Sequence, residues 1–364
     1  MDISKLDSNM KVETNLKLDD VAFYDVRREP FEVYGLYNYR NEPQFKRLPD
    51  EIGLNVNEGV KELYLNTSGG RVRFSTDSKY VAIKTVIPSF HLMSGMPLSG
   101  STGFDLYVDD PETGDSRYRQ TFMPPKTVTD GYESVITFRN RALRHFTIHF
   151  PSYGQVKDLY VGIQQDATLG EGMKYRDALP IVFYGSSITQ GACSSRPGNI
   201  YENMISRAFR MDYLNLGFSG SGKAEDIIVD YMCTLPMSVF ISDYDHNATS
   251  EEHLRGTHLK MYQKIRAAKP DVPYIMLSRP DYDNMQNLDG IINRRNIIYD
   301  TFLYAYEHGD RNVYYIDGAS IFRGPYEDSC TVDNCHPNDL GFSMMADAIG
   351  AEIRRAFSQK KIYY

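Results

Sequence analysis

The fold of this chain is decided by the stretch Ile181-Val182-Phe183-Tyr184-Gly185-Ser186-Ser187-Ile188-Thr189-Gln190-Gly191. Apolar and aromatic residues follow one another without alternation, and a run of small and hydroxylated residues then closes them off. A strand with one wet face alternates, whereas a continuous apolar run suits a strand buried on both faces, as in a parallel sheet. The same signature recurs at Tyr213–Leu216, Ser238–Ile241, Tyr274–Leu277 and Val313–Ile316. Helical periodicity separates the runs, over 200–210, 224–232, 251–268, 288–308 and 339–357. Strand and helix in alternation predict βαβ units and an open α/β sheet covered on both faces. Ligands of such sheets bind beyond the carboxyl ends of the strands, so chemistry is sought just after each run.

Upstream of about residue 175 the pattern changes. Arg71–Phe74, Tyr80–Val86, Phe104–Val108, Glu133–Phe138, His145–Phe150 and Leu159–Ile163 suit strands, and Gly69-Gly70, Asp110-Pro111, Pro124-Pro125, Asp130-Gly131 and Pro151 punctuate them. No amphipathic helix interrupts this series. An antiparallel β-sandwich, jelly-roll-like, is expected for residues 1–175, followed by the α/β domain over 176–364.

Composition agrees with two cores. The chain has 364 residues, 41% of them hydrophobic and 24% charged, which excludes global disorder. Forty Lys+Arg against 48 Asp+Glu give a formal charge of −8. No basic footprint exists, so neither nucleic acid nor an anionic membrane is an expected partner. No apolar run approaches the ~18–20 residues of a bilayer span. Met1 to Asp20 has no apolar h-region. A cytoplasmic location is expected for the chain as written, and a periplasmic or secreted one if a leader has been removed.

The residues after the runs are those of acyl-transfer chemistry. Ser186-Ser187 follows the first run, Gly217-Phe218-Ser219-Gly220-Ser221-Gly222 the second, Asp243-Tyr244-Asp245-His246-Asn247 the third, and Asp333-Asn334-Cys335-His336-Pro337 the fifth after a loop. A serine, a glycine-rich loop, an asparagine and an Asp-x-x-His pair thus converge on one sheet edge as nucleophile, oxyanion donors, and base with its orienter. In Asp333-x-x-His336 a short loop can turn both side chains the same way, leaving Nε2 to face Ser187. Asn338 is placed to cap a helix beginning at Asp339. A histidine just before a helix N-terminus sits in a positive field that favours the neutral base.

These blocks, in this order, resemble the SGNH (GDSL-type) hydrolase superfamily, and more closely its bacterial two-domain members with an N-terminal β-sandwich. Gly185-Ser186-Ser187-Ile188-Thr189 is similar to the nucleophile block, with Ser186 where many members have Asp. Asn215-Leu216-Gly217-Phe218-Ser219-Gly220 resembles the second block, Asn247 the third-block asparagine, and Asp333-Asn334-Cys335-His336 the fifth. Gly103-Phe104-Asp105-Leu106-Tyr107 resembles the Gly-x-Asp-Leu-Tyr element of the accompanying domain. The resemblance implies a three-layer α/β/α, flavodoxin-like hydrolase domain. It also implies a serine esterase with Ser187, His336 and Asp333 catalytic, and Ser187, Gly220 and Asn247 as oxyanion donors. Small acyl esters, acetyl above all, on a carbohydrate or other small molecule are the implied substrates, with no metal and no organic cofactor.

Other readings of the same residues are weaker. Gly217 to Ala224 has the Gly-x-x-x-x-Gly-Lys spacing of a phosphate loop, but Ala224 stands where Ser or Thr holds Mg²⁺. The α/β-hydrolase elbow fails because Ser221 occupies its last glycine position. A carbohydrate-binding protein with a decayed hydrolase domain is the other alternative, opposed by the intact Ser, Gly, Asn, Asp and His set. His145 and His149 share one strand face, read as solvated, while His253 and His258 fall on different faces of a helix. Cys330 and Cys335 flank the Asp loop, as free thiols or, in an oxidising compartment, as a pair.

Overall fold

The computed structural model describes residues 16–280 and 288–359; most of the stretch read for a leader, Met1 to Asp20, lies outside them. The described residues form two compact units. One holds residues up to Lys46, Leu65–Lys174 and Arg196–Gly198; the other holds Arg47–Tyr64, Tyr175–Ser195 and the chain from Asn199 onward. The assignment to units therefore crosses the sequence twice, at 47–64 and at 196–198.

In the first unit, two antiparallel sheets enclose one core. The order in one is β1 (Val21–Asp25), β11 (Asp158–Gln164), β4 (Tyr80–Val86), β8 (Gly131–Thr137). In the other it is β12 (Leu169–Glu171), β3 (Arg71–Thr76), β9 (Arg144–His149), β6 (Phe104–Asp109), β7 (Ser116–Phe122), with β2 (Glu32–Tyr34) also paired to β3. A short ribbon pairs β5 (Ser89–Phe90) with β10 (Gly154–Gln155), and α3 (Leu98–Ser101) is a single turn. Alternate residues Val81 and Ile83 of β4, Val161 and Ile163 of β11, Val72 and Phe74 of β3, and Phe146 and Ile148 of β9 meet in the core. Period-2 patterning thus sets which face each strand buries.

The face carrying His145 and His149 is not the solvated one expected. His149 is only 2% exposed, lies between Arg71 and Asp105 in register, and sets its ring 4.9 Å from that of Tyr107. Its neighbours form a buried polar layer. Thr147 Oγ1 accepts from Arg73 Nε at 2.9 Å and donates to Asp109 at 2.6 Å, and Thr121 Oγ1 donates to Asp105 at 2.6 Å. Asp105 and Tyr107, the third and fifth residues of the Gly-x-Asp-Leu-Tyr element, hold Arg196–Gly198: Arg196 Nη1 reaches Asp105 at 2.8 Å and Tyr107 Oη at 2.7 Å, and the Gly198 amide donates to Asp105 at 2.8 Å. Alternation alone separates polar from apolar faces; it does not tell a wet polar face from a hydrogen-bonded buried one.

The second unit is built on a five-stranded parallel sheet, ordered β14 (Tyr213–Gly217), β13 (Ile181–Gly185), β15 (Val239–Asp243), β16 (Tyr274–Leu277), β17 (Val313–Ile316). Ile181, Phe183, Val239, Ile241, Ile275 and Leu277 point to one side, into a core shared with α5 (Tyr201–Phe209) and α9 (Asp339–Gln359). On the other side lie α6 (Asp226–Thr234), α7 (Glu251–Ala268) and α8 (Leu288–Glu307), where Phe240, Tyr274 and Tyr262 stack edge to face. Burial on both faces is what the continuous apolar runs required. The first strand, β13, sits between β14 and β15, so the strand order reverses there, and the loops after these three strands converge. The other α-helices among the described residues are the one-turn α4 (Ser187–Gln190), and α1 (Asp50–Gly53) and α2 (Glu58–Leu63) from the 47–64 excursion.

Candidate active site

The strand β13 ends in the turn that carries Ser187. Ser186 is the N-cap of α4, its Oγ accepting from the Ile188 amide at 3.1 Å, and Gly191 closes the turn in the left-handed region at φ +97°. Ser and Asp are both strong N-caps, so Ser186 can do at this position what an Asp would. Ser187 follows as the first helical residue, 8% exposed.

The base and its orienter come from one tight turn. Thr331 and Pro337 form an antiparallel bridge, and the Val332 amide donates to the His336 carbonyl at 3.0 Å. Asn334 occupies the apex at φ +62°, a conformation Asn tolerates better than most residues. The Asp333 carboxylate does two jobs. Oδ1 accepts the amides of Cys335 (3.1 Å) and His336 (2.7 Å), while Oδ2 lies 2.8 Å from His336 Nδ1. On its other side His336 Nε2 is 2.9 Å from Ser187 Oγ, across 149 positions of sequence. Burial pushes the Asp333 carboxyl up, but the His336 amide and imidazole and the Cys335 amide together hold it below the usual carboxylate range. It is therefore an anion at neutral pH. Asn338 caps α9, accepting from Leu340 and Gly341 at 3.0 and 3.2 Å.

Opposite this turn lies the glycine-rich loop after β14. The Phe218 carbonyl accepts from Ser221 (2.9 Å), Gly222 (3.1 Å) and the side chain of Asn247 (2.9 Å). The Phe218 amide donates to the Gly185 carbonyl at 3.0 Å, and the Ser219 amide to Gln190 Oε1 at 2.9 Å, so the loop is fastened to the serine turn. Gly220 stands at the apex, exposed and at φ +63°, where a side chain would be strained. Among the described residues its amide has no hydrogen-bond partner. Asn247 is 8% exposed, and an amide NH₂ has two hydrogens, of which the Phe218 carbonyl takes one. Ser187, Asp333, His336, Gly220 and Asn247 are therefore all at the one edge of the sheet where they were sought.

Neighbouring groups bear on the alternatives. Burial pushes the Cys193 thiol up to about 11, so it stays protonated and is no rival nucleophile. All four cysteines, Cys193, Cys233, Cys330 and Cys335, are free. Asp243, Asp245 and His246 have ligand-type atoms within 4.8 Å of one another, and His246 Nδ1 lies 3.3 Å from Asp245. No phosphate loop forms at 217–224. Ala224 is left-handed at φ +58° and α6 begins only at Asp226, so no helix N-terminus follows the glycines directly. His258 is buried, stacks on Tyr244 and meets Thr301 at 2.9 Å. Sequence reasoning missed Arg47 and Asn57, which reach the loop from 47–64, and Gln190. Only Asn57 carried a signal, as an N-cap type before Glu58.

The serine turn, the glycine loop and the Asp-His turn form the edge of an SGNH-type hydrolase. Residues 178–354 match the GDSL-like lipase/acylhydrolase family, and residues 21–169 match the N-terminus of SGNH-hydrolase-type esterases. The chain belongs to the SGNH (GDSL-type) hydrolases, as a two-domain ester hydrolase with a GxDLY N-terminal domain. Among curated proteins nothing matches the chain. Several solved structures share the fold. One, described as a GDSL-like lipase from Bacteroides ovatus, is 24% identical with a TM-score of 0.83, over 93% of this chain and 98% of that one. A salicylyl-acyltransferase from a tetracycline biosynthetic pathway is 18% identical, TM-score 0.75, over 93% and 98%. An active-site mutant of a family two carbohydrate esterase from Clostridium thermocellum is 13% identical, TM-score 0.63, over 91% and 99%.

Proposed function

We propose that this protein is a serine esterase that removes small acyl groups, acetyl above all, from carbohydrate through an acyl-enzyme. The observation that carries the reading is the unbroken chain Ser187 Oγ, His336 Nε2, His336 Nδ1, Asp333 Oδ2, with contacts of 2.9 and 2.8 Å. Ser187 Oγ attacks the ester carbonyl as His336 takes its proton. Asp333, ionised, holds the imidazole in one tautomer and stabilises its charged form. The amides of Ser187 and Gly220 and the Asn247 side chain receive the oxyanion. Each such donor is typically worth ~3–4 kcal/mol in the transition state. His336 returns the proton to the leaving alcohol, then activates the water that releases the acid. Residues 176–364 are the catalytic domain in this reading and 1–175 an accessory domain, except that 47–64 belongs to the same compact unit as the chain from Asn199 onward. The acetyl and carbohydrate preference is supported by the family resemblance and by carbohydrate esterases among proteins of the same fold.

The test is release of acetate against longer acids from acetylated sugars and aryl esters, for the native chain and Ser187→Ala. Preferred release of acetate from sugar esters, lost in the variant, is the expected result. Unchanged turnover in Ser187→Ala would remove the nucleophile; a preference for long acyl chains would remove only the substrate assignment.

A further inference from the structure

We propose that the excursion 47–64 positions the oxyanion loop, with Arg47 and Asn57 as its two positioning residues; this rests on the reading of Gly220 as an oxyanion donor. Gly220 sits at the apex of the 217–222 loop, exposed, and apart from its two chain neighbours no described atom lies within 4 Å of where a Cβ would be. No hydrogen bond among the described residues holds its amide, so its aim is set by the flanks, of which Ser219 is also tied to Gln190. An oxyanion donor has to be held to a fraction of an ångström before reaction, because it gains its advantage by not reorganising.

Each flank is held from the excursion. On the near flank, Arg47 is 4% exposed and its Nη1 donates to the carbonyls of Asn215 (3.2 Å) and Gly217 (2.5 Å). Its Nη2 donates to the Leu63 carbonyl at 2.7 Å, and its guanidinium lies 4.5 Å from the centre of the Phe218 ring. The Arg47 amide donates to Tyr64 at 2.8 Å, which closes the excursion at its base. One planar fork thus ties the end of β14 to the end of α2. A lysine would keep the charge but, as a point donor, would not span these carbonyls.

On the far flank a single amide does the equivalent. Asn57 Oδ1 caps α2 by accepting from Val60 at 2.9 Å, and its Nδ2 donates to the Ser221 carbonyl at 2.9 Å and to Glu225 at 2.6 Å. Approach here is close: a Cβ on Gly59 would overlap the Ser221 hydroxyl. Residues 215–218 and 221–225 are therefore gripped on either side of Gly220 by a segment remote from it in sequence.

The test uses the full chain with p-nitrophenyl acetate as substrate and phenylboronic acid, which forms a tetrahedral adduct on a nucleophilic serine, as transition-state mimic. For Asn57→Ala, Arg47→Lys and Arg47→Met, kcat is expected to fall roughly 10- to 100-fold while KM changes less than about 3-fold. Boronate affinity is expected to weaken in parallel with kcat, which a loss of stability alone would not produce in the protein that remains folded. Folded Asn57→Ala and Arg47→Lys at native kcat and native boronate affinity would overturn the proposal. If Arg47→Met does not fold, the other two variants carry the test. Failure of the underlying reading has a different signature: native protein that binds no boronate, or Ser187→Ala that still turns over.

Discussion

In the proposed mechanism the site has a base side and an oxyanion side, and the two are built in opposite ways. The base side is a self-contained turn in which one carboxylate accepts two backbone amides, of Cys335 and His336, and contacts the imidazole. The oxyanion side is assembled from segments remote in sequence, with 47–64, 185–190, 217–222 and Asn247 hydrogen-bonded around an apex that holds nothing itself. A local turn can be specified by four consecutive residues. A preorganised donor loop needs support from elsewhere in the fold.

The comparison can be broken from either side. Asp333→Asn is expected to have the largest effect. Asn Oδ1 can keep the Cys335 and His336 amides and hence the turn, but its NH₂ meets Nδ1 as a donor and selects the wrong tautomer. A fall of about 10²–10⁴-fold in kcat with an unchanged melting temperature is expected from steady-state kinetics and thermal unfolding. Unfolding of the variant instead would mean that the turn, not the tautomer, depends on the charge. On the oxyanion side, Asn247→Ala is expected to lower kcat about 10²–10³-fold with little change in KM. A rise in KM alone would make Asn247 a binding group rather than an oxyanion donor.

A smaller effect separates the sides by pH. His258 stacks on Tyr244 at the end of β15, next to the segment that carries Asn247, and burial lowers its pKa to about 4 from 6.5. The unfolded chain then binds the proton more tightly than the folded one between these values. The stability linked to neutral His258 is therefore complete above about pH 6.5, is lost as pH falls toward 4, and changes no further below. Native protein is expected to lose about 2–3 kcal/mol more than His258→Gln between pH 7.5 and 4.5, measured by urea unfolding at each pH. Equal losses would mean that His258 is not held neutral.

What was legible follows the same division. The five parallel strands and their helices were readable because burial on both faces leaves continuous apolar runs, with helical periodicity between them. Asp333 and His336 were readable because they stand three apart. In the first unit, β7 (Ser116–Phe122) escaped notice: it is an edge strand, and Arg117, Tyr118, Arg119 and Gln120 are all exposed, so no alternation marks it. Helices α1 and α2 are too short for a period, and Arg47 has no local pattern at all. The positioning role proposed for it is visible only once the carbonyls of Asn215 and Gly217 are seen to lie within reach of its guanidinium.

The central claim is that Ser187, activated by His336 and facing the oxyanion donors, is the nucleophile. Treatment with a fluorophosphonate followed by peptide mass spectrometry tests it most directly. A single adduct on the peptide containing Ser187, absent from His336→Ala, is the expected result. A folded native protein that takes up no label, or takes it up at another residue, would contradict it.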